Sequence, residues 1–121
     1  MGRRIGQRVA RGQTALGALV ESYLSETHLR EVEAGCVVAA LGSEMHRQTP
    51  ELLEPSALRV RGLIAMVQQA LPAGGTPEQA MVIAGTLVGT LQLARTLGDN
   101  AQGKALLAAA RSALLAQYDP A

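Results

Sequence analysis

Cysteine and histidine, the residues best suited to bind zinc, occur at three positions in this chain: His28, Cys36 and His46. A zinc site takes three or four such ligands, and these three are not spaced as pairs. A lyase or isomerase would use Glu44 and His46 as its acid and base, but residues two apart point to different sides of a helix. Each histidine is interpreted as a surface or pocket-lining side chain. The sequence therefore predicts no catalytic residue, no metal site, no cofactor and no enzyme activity.

Cys36 is the one reactive side chain. It follows Gly35 at the expected start of a helix, where the helix dipole favours the thiolate form. Two interpretations stay open, a redox or electrophile sensor and a small buried residue that packs the helix start. A single cysteine excludes an intrachain disulfide and suits a reducing compartment. Because no secretory signal is present and the longest uncharged run is shorter than a membrane span, we expect a soluble cytoplasmic protein.

The elements that would position these side chains are helices. Of the 121 residues, 48% are hydrophobic and 2% are aromatic, namely Tyr23 and Tyr118. Alanine and leucine, the strongest apolar helix formers, are abundant, whereas aromatic residues, which favour strands, are scarce. The sequence predicts one all-α domain of slim, closely packed helices.

Charge is distributed unevenly along the chain. The formal net charge is +1, but Arg3, Arg4, Arg8 and Arg11 give the first twelve residues a charge of +4 with no acid. The remaining residues carry seven basic and ten acidic side chains, a net charge of −3. Only residues 1–12 therefore have the electrostatics to bind phosphate. A flexible basic arm and the frayed start of a helix are both consistent with this segment.

Hydrophobic periodicity and boundary residues predict five helices. These cover residues 13–24, 36–47, 55–71, 76–97 and 101–117. The polar stretch 25–35 is predicted to be a loop or a broken turn, and Pro55 is expected to restart the chain. Thr76 and Gln79 match a capping box at the start of the fourth helix. Gly98 is expected to end that helix, and Asp99-Asn100 to cap the fifth.

The fourth predicted helix is apolar on nearly every side, since no charged residue lies between Glu78 and Arg95. A helix that is apolar all round is covered on all sides, and in a chain this small the cover is expected to be a second copy. Gly85 and Gly89 leave a groove where another backbone approaches closely, and the fifth helix has a similar small-residue face. The alternative is a monomeric core with alanine-rich solvent faces. The predicted dimer interface comprises Gly85, Val88, Gly89, Gln92, Ala105, Ala108, Ala109, Ser112 and Ala116.

Two stretches, AGCVVAALGSEMHRQTPELLEPSALRV and AGTLVGTLQLARTLGDNAQGKALLAAARSALL, resemble the C-terminal half of a TetR-family transcriptional regulator. The resemblance covers roughly residues 16–115. Its best markers are Gly35-Cys36, Gly42-Ser43-Glu44, and Leu87-Val88-Gly89 leading to Leu93-Ala94-Arg95.

This resemblance implies a helical ligand-binding and dimerisation domain over residues 13–119, with residues 1–12 as a basic arm or the remnant of a linker helix. The last two helices of each copy would pair into a four-helix bundle. The family's N-terminal DNA-binding domain is missing, because residues 1–12 are too short for a helix-turn-helix. The sequence is thus expected to be a fragment of a longer repressor or a natural truncation, with DNA as a partner only through the missing domain.

The resemblance also implies an effector pocket among the first four helices. A small, largely apolar ligand would bias the tilt between the two halves of the dimer. The pocket candidates are Tyr23, Cys36, Ala40, Met45, Ile64, Val67, Thr86 and Gln92. The main alternative function is a stand-alone helical homodimeric interaction module without an effector, and no membrane partner is expected.

Overall fold

The computed structural model describes the backbone of residues 2–30 and 50–119, and the side chains of residues 5–30 and 55–119. Every regular element in these ranges is a helix, so the predicted all-α fold class is confirmed. The helices are α1 (Gly2–Ala10), α2 (Ala15–Tyr23), α3 (Glu26–Arg30), α4 (Pro50–Ala70), α5 (Pro77–Leu97) and α6 (Ala101–Tyr118). The predicted helix over residues 36–47 lies outside the described residues.

Helix α2 is the central element of the described fold. It packs against α1, α4, α5 and α6, and its side chains Leu16, Leu19 and Val20 expose at most 1% of their surface. Thr14 caps its start by accepting the Gly17 amide hydrogen at 2.9 Å. The predicted helix over residues 13–24 is therefore confirmed to within two residues at each end. Most residues of α2 are buried within the single chain.

The stretch 25–35, predicted to be a loop or a broken turn, begins with the short helix α3. The Ser25 hydroxyl accepts the His28 amide hydrogen at 3.1 Å and so caps this helix. His28 exposes 4% of its surface, its Nδ1 lies 2.7 Å from the Tyr23 carbonyl oxygen, and its ring meets the Tyr23 ring edge-on at 4.7 Å. Of the two alternatives for His28, a surface or a pocket-lining side chain, the surface one is wrong, because the ring is part of the packing between α2 and α3.

Helix α4 runs through Pro55 without a break, so the expected restart of the chain at Pro55 is wrong. A proline lacks the amide hydrogen for one helical hydrogen bond. Pro55 is the sixth residue of α4, and only the carbonyl of Glu51 loses its helical donor there. The fifteen residues that follow keep the regular pattern, so one lost bond near the helix start does not end the element.

Helices α5 and α6 form a tightly connected hairpin whose boundaries match the prediction. Thr76 and Gln79 make both hydrogen bonds of the capping box, at 3.0 and 3.2 Å. Gly98 ends α5 with φ at 107°, a left-handed conformation that favours glycine. Asn100 caps α6 by accepting the Gly103 amide hydrogen at 3.0 Å. These boundaries rest on local hydrogen bonds, which is why the sequence was sufficient to predict them.

The buried sides of the hairpin follow helical spacing. On α5 the buried side includes residues that expose at most 4% of their surface, namely Ala80, Ala84, Leu87, Leu91 and Ala94. On α6, Leu107 and Leu114 are buried, while Leu106 and Ala110 are half-buried against the same core. Because α2 packs against both helices, their buried sides face one common core.

Four charged side chains tie α3 to the α5–α6 turn. Arg30 Nε donates to Asp99 Oδ2 at 2.9 Å, and Lys104 Nζ lies 3.5 Å from Glu26 Oε1 and 3.9 Å from Asp99 Oδ1. The hydrogen bond from Arg30 lowers the pKa of the Asp99 carboxyl from its ordinary value of 3.8. All four groups are solvent-exposed, so water and salt screen the pairs.

We expect Asp99→Asn to lower the free energy of unfolding at neutral pH and to have a vanishing effect in acid. A carboxylate whose folded pKa is lowered contributes stability that is fully present above its unfolded pKa and is lost as pH falls through the folded pKa. The measurement is urea unfolding of both proteins from neutral pH to below the ordinary aspartate pKa. Glu78→Gln, which removes an exposed carboxylate outside this cluster, is the control. A stability difference between Asp99→Asn and wild type that does not change with pH would contradict the ion-pair account.

Candidate dimerisation face

The side of α5 that faces away from the core is apolar and open. Met81, Val82 and Leu93 expose 55%, 56% and 59% of their surface, and Leu97 exposes 44%. Large apolar side chains exposed this far along one side of a helix typically mark an interaction surface. Burying four half-exposed side chains of this size would stabilise a complex by about 1 kcal/mol each.

Two glycines lie in the middle of this open side. A Cβ atom built on Gly85 or Gly89 has no heavy atom within 4 Å, so neither glycine is needed for packing inside the chain. They sit one helical turn apart, between Val82 on one side and Leu93 on the other. The result is a shallow groove along α5 where the backbone of another helix can approach.

Helix α6 continues the same kind of surface. Its exposed residues are mostly alanines, with one serine and, towards the two ends, Gln102 and Gln117. We use the name outer face for the exposed sides of the two helices together. The outer face consists of Met81, Val82, Gly85, Gly89, Leu93, Leu97, Ala105, Ala108, Ala109, Ser112 and Ala116. From Met81 to Leu97 it is about 24 Å long at 1.5 Å per residue, and two adjacent helices make it about 20 Å wide.

Three basic side chains of the hairpin are directed away from the outer face. Arg95 donates to two backbone carbonyl oxygens of α3, Lys104 lies next to a glutamate of α3, and Arg111 donates to the backbone carbonyl oxygen of Leu24. Between Glu78 and Arg95 the sequence has no charge. The outer face thus lacks the charged back that a solvent-facing helix normally shows.

No protein-family model, curated protein or solved structure matches this chain. The TetR resemblance is therefore carried by the sequence motifs alone.

The structure places the nine residues of the predicted interface on or beside the outer face. Gly85, Gly89 and the five predicted residues of α6 are exposed, and Val88 and Gln92 are half-buried at the margin. The sequence reasoning missed Met81, Val82 and Leu93, which are the largest exposed groups there. Helical spacing could have identified them, because residues three or four positions apart share one side of a helix. Val82 precedes Gly85 by three positions, and Leu93 follows Gly89 by four.

The candidate pocket residues fall into three groups. Tyr23 and Val67 belong to the buried core, with Ile64 packed against it. Thr86 and Gln92 are half-buried on α5, and the Thr86 hydroxyl donates to its own helix at the Val82 carbonyl oxygen, 2.8 Å away. Cys36, which carries the candidate reactive thiol, lies outside the described residues, as do Ala40 and Met45. The structure thus places Tyr23, Ile64 and Val67 in one core cluster.

An apolar groove of about 190 Å³ opens between α1, α2 and α4, lined by Ile5, Leu19 and Met66 among others. None of the predicted pocket residues lines it. Its volume lies below the roughly 300–1,000 Å³ of a typical small-molecule site. Among the side chains of residues 5–30 and 55–119, no group of three His, Cys, Asp or Glu is placed to hold a metal ion.

Helix α5 has 21 residues, and by length and composition alone it could cross a membrane. The sequence argument had counted only the uncharged run, which is shorter. A core helix of a water-soluble protein meets the same length and composition criterion, and seven residues of α5 are buried within this chain. The length of α5 therefore does not distinguish a membrane-spanning helix from a core helix.

Proposed function

We propose that this chain is the effector-binding and dimerisation domain of a TetR-like transcriptional regulator. Two copies would pair their outer faces about a two-fold axis, so that α5 and α6 of each copy form a four-helix bundle. The observation that carries this proposal is the outer face itself, an uncharged surface with a glycine groove and exposed Met81, Val82 and Leu93. DNA would be bound by a helix-turn-helix outside this sequence.

The size of the outer face supports pairing. A surface of about 24 by 20 Å has a projected area near 500 Å², and its accessible area is larger because side chains project from it. Stable protein interfaces bury about 800 Å² of accessible surface on each partner. The outer face is thus of the right order for a stable dimer of two small chains.

Helix α5 would connect effector binding to the dimer. Its inner side packs against the core that holds Tyr23 and Val67, and its outer side carries Gly85 and Gly89. An apolar ligand seated among α2, α4 and α5 would displace α5 and so change the tilt between the two copies. Such a ligand transmits a signal only if it binds the two tilts with different affinity.

A repression assay tests the dimerisation function directly. A helix-turn-helix domain that represses only as a pair is joined ahead of Met1, and repression of its operator is measured in cells. We expect repression with the wild-type chain, loss of repression with Gly89→Leu, and retained repression with Gly62→Leu on α4. Absence of repression by the wild-type fusion at normal protein levels would contradict the proposal.

A second candidate function is a stand-alone homodimeric interaction module without an effector. It is favoured by the dense core, in which Tyr23 exposes 3% and Val67 exposes 0% of the side chain, and by the small volume of the apolar groove. A thermal-shift screen with small apolar molecules separates the two functions. An effector domain predicts compounds that raise the melting temperature and whose effect falls in Ile64→Ala, whereas the module predicts none.

A further inference from the structure

A polar pocket of about 340 Å³ lies where α1, α2, α3 and α6 meet. Its volume falls within the roughly 300–1,000 Å³ of typical small-molecule sites. It differs from the candidate effector pocket, because no described residue of that set lines it. Four of the six side chains that line it are charged and the other two carry hydroxyl groups, namely Arg8, Glu21, Ser25, Glu26, Thr27 and Arg111.

Arg111 brings to this pocket a positive charge with which no carboxylate among the described side chains pairs. Its Nη1 donates to the Leu24 carbonyl oxygen at 2.5 Å, which fixes the guanidinium beside the end of α2. The residue is half-buried, so water compensates its charge only in part. The N–H groups that remain suit a carboxylate, which arginine binds through two parallel hydrogen bonds.

Two glutamates bring negative charge to the same pocket. The hydrogen bonds to Glu21 go to its Oε2, among them one from Arg8 at 2.9 Å. Arg30 and Lys104 each lie 3.5 Å from Glu26 Oε1. The second oxygen of each carboxylate, Oε1 of Glu21 and Oε2 of Glu26, accepts no hydrogen bond from the part of the chain that the structure describes. These two oxygens suit an ammonium group, which only donates hydrogen bonds.

Two hydroxyl groups complete the lining of the pocket. Ser25 Oγ accepts the His28 amide hydrogen at 3.1 Å, which leaves its own hydroxyl hydrogen to donate. Thr27 is exposed, and its hydroxyl has no hydrogen bond within the described ranges. Because a hydroxyl both donates and accepts, these two groups suit a polar ligand.

We propose that this pocket binds a small zwitterion of the α-amino-acid class, with the ligand carboxylate on Arg111 and its ammonium group at the open oxygens of Glu21 and Glu26. At neutral pH such a ligand carries both charges. A ligand with only a negative charge would be repelled by the two glutamates, and one with only a positive charge would be repelled by the two arginines. The proposal rests on this pocket alone and depends neither on the dimer nor on an apolar effector.

The test is an NMR titration of the whole isotope-labelled chain, measured at the amide signals of Ser25 and Thr27. The probes are L-serine, 3-hydroxypropionate, which lacks the ammonium group, and L-serinamide, in which an amide replaces the carboxylate. We expect L-serine to bind with a dissociation constant of about 1 mM, an affinity per atom within the usual bound for small ligands. Each of the other two probes should bind about tenfold more weakly or worse, since it lacks one of the two charge-assisted contacts.

Variants of the pocket separate the two charges of the ligand. Arg111→Gln should weaken L-serine binding about tenfold or more, because it removes the partner of the carboxylate. Glu26→Gln should weaken it about fivefold, because Glu21 still faces the ammonium group. Arg59→Gln and Glu78→Gln remove the same charges at exposed positions of α4 and α5. As controls, they should change the affinity less than about twofold, since exposed charges at a distance are screened.

Each of three outcomes would overturn the proposal: no shift of the Ser25 and Thr27 signals with L-serine at about 20 mM, equal or tighter binding of either one-charge probe, or equal weakening by the pocket and control variants. Circular dichroism checks that each variant keeps its helix content. Glu26 is exposed, so Glu26→Gln still tests the pocket if Arg111→Gln loses its bond to Leu24 and unfolds. Sedimentation of the same samples shows whether the chain dimerises, so failure of the ligand proposal and failure of the proposed function are distinguished.

Discussion

The Gly89→Leu variant is expected to be a monomer at micromolar concentrations at which the wild-type chain is a dimer. Gly89 lies in the groove of the outer face, and a leucine from each copy would hold the two α5 helices apart. A Cβ at this position meets no heavy atom within 4 Å in the single chain, and leucine favours a helix over glycine by about 0.5–1 kcal/mol. The folded monomer is therefore expected to be unharmed, while the dissociation constant rises about 100-fold or more, a change of roughly 2.7 kcal/mol.

Sedimentation velocity at several concentrations measures this change, with circular dichroism to confirm helix content. Gly62→Leu is the matched control, because Gly62 is also exposed within a helix with nothing within 4 Å of its Cβ position, but it lies on α4. The control should associate as the wild type does. If Gly89→Leu associates as strongly as wild type, α5 does not pair through this groove.

The Gly103→Ala variant is expected to lose about 1–3 kcal/mol of unfolding free energy, as an overpacked site does. Gly103 is buried in the first turn of α6, under the α5–α6 connection. A Cβ there would lie 2.1 Å from the Gly98 carbonyl oxygen and 3.0 Å from the Ala94 carbonyl oxygen. Both are backbone atoms, so no side-chain rotation relieves the clash and the hairpin itself must open.

Urea unfolding at a fixed protein concentration measures this loss, since dimerisation makes apparent stability depend on concentration. Gly62→Ala should move in the opposite direction, because alanine in an open helical position stabilises by about 0.5–1 kcal/mol relative to glycine. A Gly103→Ala protein as stable as wild type would contradict the close approach of α6 to the α5–α6 turn.

Helices whose ends are capped by side chains close in sequence could be predicted from the sequence. The hairpin is the clearest case, because Thr76, Gln79 and Asn100 make hydrogen bonds within three residues of their own position. The core stripes of α5 and α6 followed from helical periodicity for the same reason. The helix boundaries depend on capping hydrogen bonds between near neighbours, and the buried sides depend on helical spacing.

Features that depend on packing between distant segments could not be predicted. Helix α3 has five residues, too few to show a periodic pattern, and it is held by Arg95 of α5 and by the buried His28. Pro55 looked like a boundary because proline is favoured in the first turn of a helix, but α4 begins five residues earlier, at Pro50. That most of α2 is buried depends on α1, α4, α5 and α6 meeting around it.

The candidate interface was predicted by its small residues, and its large ones were missed. Gly85 and Gly89 stand out in a sequence because glycine is uncommon inside helices. Met81, Val82 and Leu93 look like core residues until the structure shows them more than half exposed. Apolar residues on all sides of a helix do not reveal which side a partner would cover.

Sedimentation equilibrium of the wild-type chain tests the central claim most directly. We predict a single species of about twice the 12.6 kDa chain mass across the micromolar range, formed through the outer face. A single species of one chain mass throughout that range would contradict dimerisation. The uncharged, glycine-grooved side of α5 would then be a solvent-facing surface.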